Sequence, residues 1–266
     1  MKTLIFSMII TLSPIAAISQ INWGKVKKEA NKAAKNTEGT AKDTYDAGKD
    51  LYDEHFGTKK TTNLTNTEVI NGLKEALEVG TNNSASKASQ ANGFLYNSKI
   101  KIPWPEDAEK AKNTLINIGM KTQVDKVVKT MNRAAEEASK EAAPIFVDAI
   151  KQMSIGDGFK ILKGANNEAT KYLSDKTSAP LKAKFRPIVK EAIKKVKLTQ
   201  YWNPCVNAYN KIPGVEKMNP DLDDYITQKA MDGLFKLIAE EELKIRKDPI
   251  ARVSDLLKKV FGSLDK

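Results

Sequence analysis

The sequence contains one cysteine, Cys205, and one histidine, His55, among its 266 residues. A lone cysteine cannot form an internal disulfide, and we expect it to behave as a small buried hydrophobic residue. The alternative, a reactive thiol, would need a nearby base, and the histidine lies in a polar stretch near the N-terminus. Zinc sites and histidine-based triads need several such side chains, so this scarcity argues against both.

Standard catalytic motifs are missing as well. The chain has no G-x-S-x-G, no G-x-x-x-x-G-K-[ST], no H-E-x-x-H and no paired C-x-x-C. These motifs mark many hydrolases, nucleotide-binding loops and zinc enzymes. The sequence therefore predicts no cofactor and no metal, and it favours a protein without enzymatic activity.

Long apolar runs are absent except at the start of the chain. Lys2 precedes an apolar stretch from Leu4 to Ala17, and small residues follow at Ala17 and Ser19. This arrangement predicts a signal peptide over residues 1–19, with cleavage before Gln20. A membrane anchor is the alternative, but the run is shorter than the roughly 20 residues that span a bilayer. We expect an exported protein, periplasmic or secreted, without a transmembrane segment in the mature chain.

The charge is strongly unbalanced, with a formal net value of +11. Such an excess draws a protein to anionic surfaces, so we expect an anionic envelope component or a protein partner. Nucleic acid is not expected, because the basic residues are mixed with 33 acids and no aromatic-interleaved binding motif is present.

Helix-forming residues dominate the rest of the chain. Residues 20–62 are rich in Lys and Ala and poor in Leu, Ile and Val, and we predict a partly helical, mobile extension. Residues 63–266 carry apolar residues at helical spacing, which predicts an all-α domain folded as a single compact multi-helix bundle. The best strand candidate, NSKIKIPW at 97–104, is short.

Several local signals predict helix boundaries in this domain. The sequence TNTE at 65–68 fits a capping box, and we expect the helix behind it to weaken or end at Gly80. Pro144 should kink or split a long helix. We expect a short helix after Ser154 as N-cap, a separate short helix from NNEATKYLSDKT, and a turn-bearing connector at WNPCVNAYNKIPG.

Two acidic clusters surround the last long helix. Asp221, Asp223 and Asp224 stand where this helix should begin, and carboxylates stabilise such an end. A calcium loop would need a turn-forming glycine, which this stretch lacks. Of the consecutive acids at 240–242, we expect one to point inward or along the helix to Arg246 and the others to be solvated.

Arginine is rare, with only four against 40 lysines. Arg133, Arg246 and Arg252 have acids within helical reach, at Glu136 or Glu137, Glu242 and Asp255 respectively. Arg186 has none and precedes Pro187, which disfavours helix. We expect Arg186 to pair over a long range with Asp148 or Asp224, or to bind an anionic ligand.

The amphipathic stretch from Lys182 to Lys197 carries an apolar face that should belong to the core, although such a helix could also lie on an anionic membrane surface. The ligand-binding candidates are Arg186, Lys182, Lys190, Lys194, Asp148, Asp224, Tyr225, Arg133 and Arg246.

Several stretches resemble an exported bacterial family known as domain of unknown function 4197. They include MNRAAEEASKEAAPIFVDAIKQMSIGDGFKILKGANNEATKYL, LKAKFRPIVKEA and DLDDYITQKAMDGLFKLIAEEELKIRKDPIAR, in the family's order from about Asn63 to Gly262. The chain departs from the family at Asp157-Gly158, where Asp-Ala is usual, and in its long spacer over 20–62. The resemblance implies an exported helical envelope protein and supplies no catalytic residues.

Three functions follow as hypotheses. The first is a non-enzymatic binding domain for an anionic envelope component or protein partner, acting through Arg186 and the basic helix. The second is a helical carrier with an enclosed apolar pocket for a lipid-like molecule. The third is a hydrolase that uses carboxylates such as Asp148, Asp224 or Glu241.

Overall fold

The structure, a computed structural model, describes residues 64–265. The signal peptide predicted over 1–19, the extension over 20–62 and His55 lie outside these residues. Within the described range the chain forms nine α-helices, two short 3₁₀ helices and no strand, which confirms the all-α prediction. None of the helices in residues 64–265 combines the length and the apolar composition that a membrane span requires.

The helices are numbered here in chain order. They are α1 (Asn66–Ala88), α2 (Glu109–Asn117), α3 (Lys121–Ser139), α4 (Ala142–Gln152), α5 (Gly158–Leu162), α6 (Glu168–Lys195), α7 (Thr199–Asn210), α8 (Asp223–Lys247) and α9 (Asp255–Gly262). The 3₁₀ helices are Glu106–Ala108 and Pro249–Ala251.

Helix α8 lies at the centre of the packing, with α1 on one side and α6 on another. Helix α3 packs on α6 and α7, while α4, α5 and α9 cover α1. The buried apolar residues of all nine helices merge into one cluster. Every helix thus buries its apolar stripe in a shared core, which is the main source of stability in a helical domain.

The start of α1 was predicted from local sequence and its length was not. The capping box is confirmed, because Thr65 Oγ1 accepts from the Glu68 amide and the Glu68 carboxylate accepts from the Thr65 amide. The predicted end near Gly80 is wrong, since α1 runs on to Ala88. A Cβ added at Gly80 would lie 3.3 Å from the Cβ of Glu241, so the glycine permits close approach of α8.

Helix α6 is a second place where packing overrides local signals. It contains both Pro180 and Pro187, and Arg186 is helical despite the proline that follows it. The separate short helix expected from NNEATKYLSDKT is the first part of α6. Both prolines lie on the exposed face, where carbonyls left without a helical donor can be hydrated, while Leu181, Phe185 and Val189 are buried.

Of three other predicted boundaries, one is confirmed and two are wrong. Pro144 does follow a break, because α3 ends at Ser139 and α4 begins at Ala142. The N-cap of α5 is Asp157, whose side chain accepts from the Lys160 amide, and not Ser154. The expected connector at WNPCVNAYNKIPG instead supplies most of α7.

The segment at 97–104, the best strand candidate in the sequence, forms backbone hydrogen bonds with a side chain and not with another strand. Asn132 of α3 accepts from the Ile102 amide at 2.8 Å and donates to the Ile102 carbonyl at 2.8 Å. A single extended segment has no neighbouring strand to satisfy its backbone, and the buried amide group takes that role.

Buried aromatic and sulfur groups fill the end of the bundle near α7. The rings of Trp104 and Trp202 pack with centroids 5.1 Å apart, and their indole N–H groups donate to the carbonyls of Ala108 and Pro220. Cys205 is fully buried, as predicted, and burial raises the pKa of its thiol to about 11. A protonated buried thiol is a poor nucleophile, so this cysteine is structural.

Replacing Lys197 with glycine should raise the free energy of unfolding by about 1 kcal/mol. Lys197 follows α6 at φ +56°, in a Schellman motif closed by the bond from the Leu198 amide to the Ile193 carbonyl. Gly119 holds the same position after α2 at φ +88°. Urea denaturation would measure the gain, and Gly119→Ala, the reverse change, should cost a similar amount. A loss of stability in Lys197→Gly would contradict the prediction.

Candidate functional site

The basic face of α6 lies against the acidic start of α8. Three cations four residues apart each approach one of the three aspartates singled out from the sequence. The pairs join Lys182 to Asp224 at 2.9 Å, Lys190 to Asp223 at 3.8 Å and Arg186 to Asp221 at 4.0 Å. The positive charge of this face is therefore balanced within the domain.

The partner expected for Arg186 is wrong. Its nearest carboxylate is Asp221, because Asp224 is taken by Lys182 one turn earlier on α6. Asp148 is exposed on α4 and forms no ion pair with any described residue. The Arg186 and Asp221 side chains are each about half exposed, so their pair adds little stability.

The aspartates behave as helix-end residues. Asp221 Oδ1 accepts from the Asp223 amide at 2.7 Å at the first turn of α8. Burial, followed by the neighbouring Asp221 carboxylate, raises the pKa of Asp223. Among residues 64–265 no three acidic, histidine or cysteine side chains are grouped so as to hold a metal ion.

Two further candidates have partners within the domain. Lys194 pairs with Glu191 on its own helix at 2.7 Å. The Tyr225 hydroxyl donates to the Pro103 carbonyl at 3.1 Å, and burial raises its pKa to about 12. Both side chains therefore fit a structural role.

Arg246 lies in the core and bridges two helix ends. Its guanidinium donates to Glu242 at 2.8 Å and to the Leu162 and Ile161 carbonyls, which end α5. The Glu242 carboxylate accepts from the Ala169 amide and the Thr170 amide and hydroxyl, at the start of α6. The expected inward glutamate is thus Glu242, and Arg246 is unavailable to a ligand.

Two further expectations, a solvated Glu241 and a pair between Arg252 and Asp255, are wrong. Glu241 is buried, not solvated, and binds Lys87, Lys244 and Asn83. Arg252 pairs with Asp265 at 2.5 Å and not with Asp255. Lys244 is a local partner of Glu241, but Asn83 and Lys87 reach it from α1, and Asp265 reaches Arg252 from beyond α9, so the neighbouring sequence does not signal these contacts.

An open groove of about 500 Å³ runs along the exposed face of α3. Its walls are the turn after α1, with Ser89 and Ala91, and the junction between α6 and α7, with Val196 and Tyr201. Lys126, Lys129 and Arg133 of α3 line the groove, because residues three and four apart share a helix face. Lys140, just after the end of α3, lines it as well.

Arg133 is held firmly on one edge. Its Nη1 donates to Glu136 Oε2 at 2.5 Å, which confirms one of the two partners expected for it, and its Nη2 donates to Asn92 Oδ1 at 2.7 Å. Glu136 is itself buried, and its other oxygen accepts from the Phe94 and Leu95 amides. The guanidinium is thus oriented by a carboxylate that is fixed in place.

Positive charge in the groove exceeds negative charge. Glu136 balances Arg133, and Glu137 is contacted by both Lys140 and Lys195. These lysines lower the pKa of Glu137, so the carboxylate is charged at neutral pH. Lys126 and Lys129 form no ion pair with the described residues, and the Lys126 ammonium lies 5.7 Å from the centre of the Tyr201 ring.

Sequence reasoning found Arg133 but missed the two free lysines beside it. Their signal is present, since Lys126, Lys129 and Arg133 are spaced by three and four residues, opposite the buried Val124 and Val127. The denser lysines of α6 made that helix the more obvious candidate. Only the fold shows that Lys182, Arg186 and Lys190 of α6 face aspartates, whereas Lys126 and Lys129 of α3 form no ion pair with the described residues.

The carrier and hydrolase hypotheses find less support. The α3 groove and a second groove of about 510 Å³ near Tyr172 are open and carry lysines, unlike an enclosed apolar pocket. Of the three proposed catalytic carboxylates, Asp224 pairs with Lys182, Glu241 pairs with Lys87 and Lys244, and Asp148 forms no ion pair with the described residues. Burial alone would raise the pKa of Glu241, but its hydrogen bonds lower it. A general acid needs the opposite shift.

Comparison with known proteins identifies a family. A family model described as protein of unknown function (DUF4197) matches residues 63–262. No curated protein and no solved structure matches the chain.

Proposed function

The chain belongs to the family of proteins of unknown function DUF4197, and we propose that it is an exported, non-enzymatic binding domain for an anionic component of the bacterial envelope. The observation that supports this proposal is the unbalanced charge of the α3 groove, where Lys126 and Lys129 have no ion-pair partner among the described residues. An open basic groove attracts anions and leaves its lysines free to contact them.

The proposal places the contact on α3 and not on α6. The α6 cations face aspartates of the same domain, so an anionic partner would have to displace those carboxylates. Lys126 and Lys129 need no such exchange. Lys126 also lies beside the Tyr201 ring, which gives the groove an apolar wall next to its charge.

The test is binding of the chain from Gln20 onward, without the predicted signal peptide, to vesicles that contain phosphatidylglycerol, compared with phosphatidylcholine alone. Each lysine near an anionic surface contributes about 1 kcal/mol, so Lys126→Gln/Lys129→Gln should weaken binding roughly tenfold to thirtyfold. Affinity should also fall as salt rises. Both lysines are exposed, and their replacement should leave folding intact.

The matched control is Lys182→Gln/Lys190→Gln, which removes the same formal charge from the paired α6 face. It should change affinity by less than about threefold, since those charges are already balanced. Equal losses in the two double variants, or affinity that ignores salt, would overturn the proposal.

A further inference from the structure

We propose that Arg133 is a preorganised clamp for a phosphoryl group, and that the α3 groove therefore selects phosphorylated ligands over carboxylates. This inference rests on the proposed function, because it names the chemistry recognised at the same groove. It depends on how Arg133 is held, on the donors that remain free, and on the charge beside it.

The anchoring of Arg133 leaves it little freedom. Glu136 is 4% exposed and accepts from two backbone amides at 3.2 Å as well as from the guanidinium. On the other side, Asn92 has φ +68°, and the next residue, Gly93, has no room for a Cβ, which would lie 2.4 Å from the Lys87 carbonyl oxygen. Both anchoring side chains, those of Glu136 and Asn92, lie in closely packed parts of the chain. The Arg133 guanidinium therefore keeps one orientation before any ligand binds.

Arg133 keeps N–H donors that the described residues do not use. A guanidinium has five N–H donors, and the described residues accept from Arg133 only at Nη1 and Nη2, once each. The side chain is 31% exposed and lines the groove. An oxyanion can thus receive several N–H bonds without breaking the bonds that orient the arginine.

The neighbouring charge distinguishes phosphoryl from carboxylate ligands. Lys129 lies one turn before Arg133, and Lys126 lies about one turn before Lys129. A phosphate monoester carries up to two negative charges and three terminal oxygens, which can meet donors from several directions. A carboxylate offers one charge and two oxygens in a plane. The two free ammonium groups and the fork together match the phosphoryl group better.

The size of the groove limits the rest of the ligand. A volume of about 500 Å³ accommodates a small molecule or a lipid headgroup. Val196 and Tyr201 supply an apolar side to the same groove. The ligand class is therefore a phosphoryl group on a small polar body, either free in solution or at the surface of a lipid layer.

Calorimetry on the full chain with glycerol 3-phosphate, inorganic phosphate and glycerate at constant ionic strength would test the clamp. We expect both phosphates to bind more tightly than glycerate. Arg133→Lys keeps the charge and removes the fork, and it should weaken glycerol 3-phosphate binding about tenfold. Asn92→Gly suits the positive φ and removes one anchor, so it should cause a smaller loss with the arginine still present.

Several outcomes would decide the inference. Equal affinity for glycerate and glycerol 3-phosphate, or unchanged binding in Arg133→Lys, would overturn it, while unfolding of that variant would leave the decision to Asn92→Gly and the glycerate comparison. A further arm uses vesicles that contain phosphatidic acid, whose headgroup is a phosphate monoester. Binding to these vesicles that depends on Lys126 and Lys129 but not on Arg133 would overturn the clamp and keep the proposed function. Arg133-dependent binding of soluble phosphates without binding to these vesicles would support the clamp and reject the envelope lipid as its source.

Discussion

Replacing Glu242 with alanine should lower the free energy of unfolding by about 3–5 kcal/mol. The Glu242 side chain is 1% exposed and faces the Arg246 guanidinium, which is 4% exposed. Without the carboxylate, Arg246 keeps two carbonyl partners but has no counter-charge, and the amides of Ala169 and Thr170 lose their acceptor. An uncompensated buried charge and an uncapped helix start both destabilise the folded state.

The matched control for this prediction is Glu240→Ala, two residues away on the same helix. Glu240 is partly exposed and pairs only with the exposed Lys99, so its removal should cost less than about 1 kcal/mol. Urea denaturation followed by circular dichroism measures both variants. Similar losses of stability in Glu242→Ala and Glu240→Ala would contradict the prediction, because the buried pair would then contribute no more than the exposed one.

A second comparison separates the pair from its parts. Glu242→Met/Arg246→Met removes both charges together and leaves apolar side chains of similar length. It should be more stable than Glu242→Ala, because no unpaired charge remains in the core. A double variant less stable than the single one would argue that hydrogen bonds to the helix ends outweigh the charge balance.

The sequence predicted those helix boundaries that are determined by residues close to them in the chain. The capping box at Thr65 and the break near Pro144 are set within a few residues, so the sequence contains them. Gly80 and Pro187 are local signals as well, yet both lie inside helices. A glycine or a proline inside a helix costs a few kcal/mol at most, and burial of the apolar faces of α1 and α6 offsets this cost.

The candidate site was harder to predict, because whether a lysine is free to bind a ligand depends on ion pairs with residues that are distant in the sequence. The lysines of α6 and those of α3 look alike in sequence. They differ only because the start of α8 places aspartates against α6 and none against Lys126 and Lys129. Net charge could be predicted, whereas the position of the unbalanced charge required the tertiary structure.

Glu241 should make the domain sensitive to acid. Burial alone would raise the pKa of this carboxyl, but hydrogen bonds from Lys244, Lys87 and Asn83 prevail and lower its pKa to about 2. The ordinary value is 4.5, so folding favours the charged form. The resulting stabilisation, about 3 kcal/mol from the size of the shift, is fully present above pH 4.5 and is lost as the pH falls towards 2.

The variant Glu241→Gln should isolate this contribution. It should be less stable than the parent by about 2–3 kcal/mol at pH 7, and the difference should shrink steadily between pH 4.5 and pH 2, because the parent carboxylate then becomes neutral as well. The control Asp148→Asn alters an exposed carboxylate without an ion pair among the described residues, and it should change stability by less than about 0.5 kcal/mol at every pH. Urea denaturation at a series of pH values gives both curves. A Glu241→Gln difference that stays constant down to pH 2 would mean that the three donors do not hold this carboxylate in its charged form.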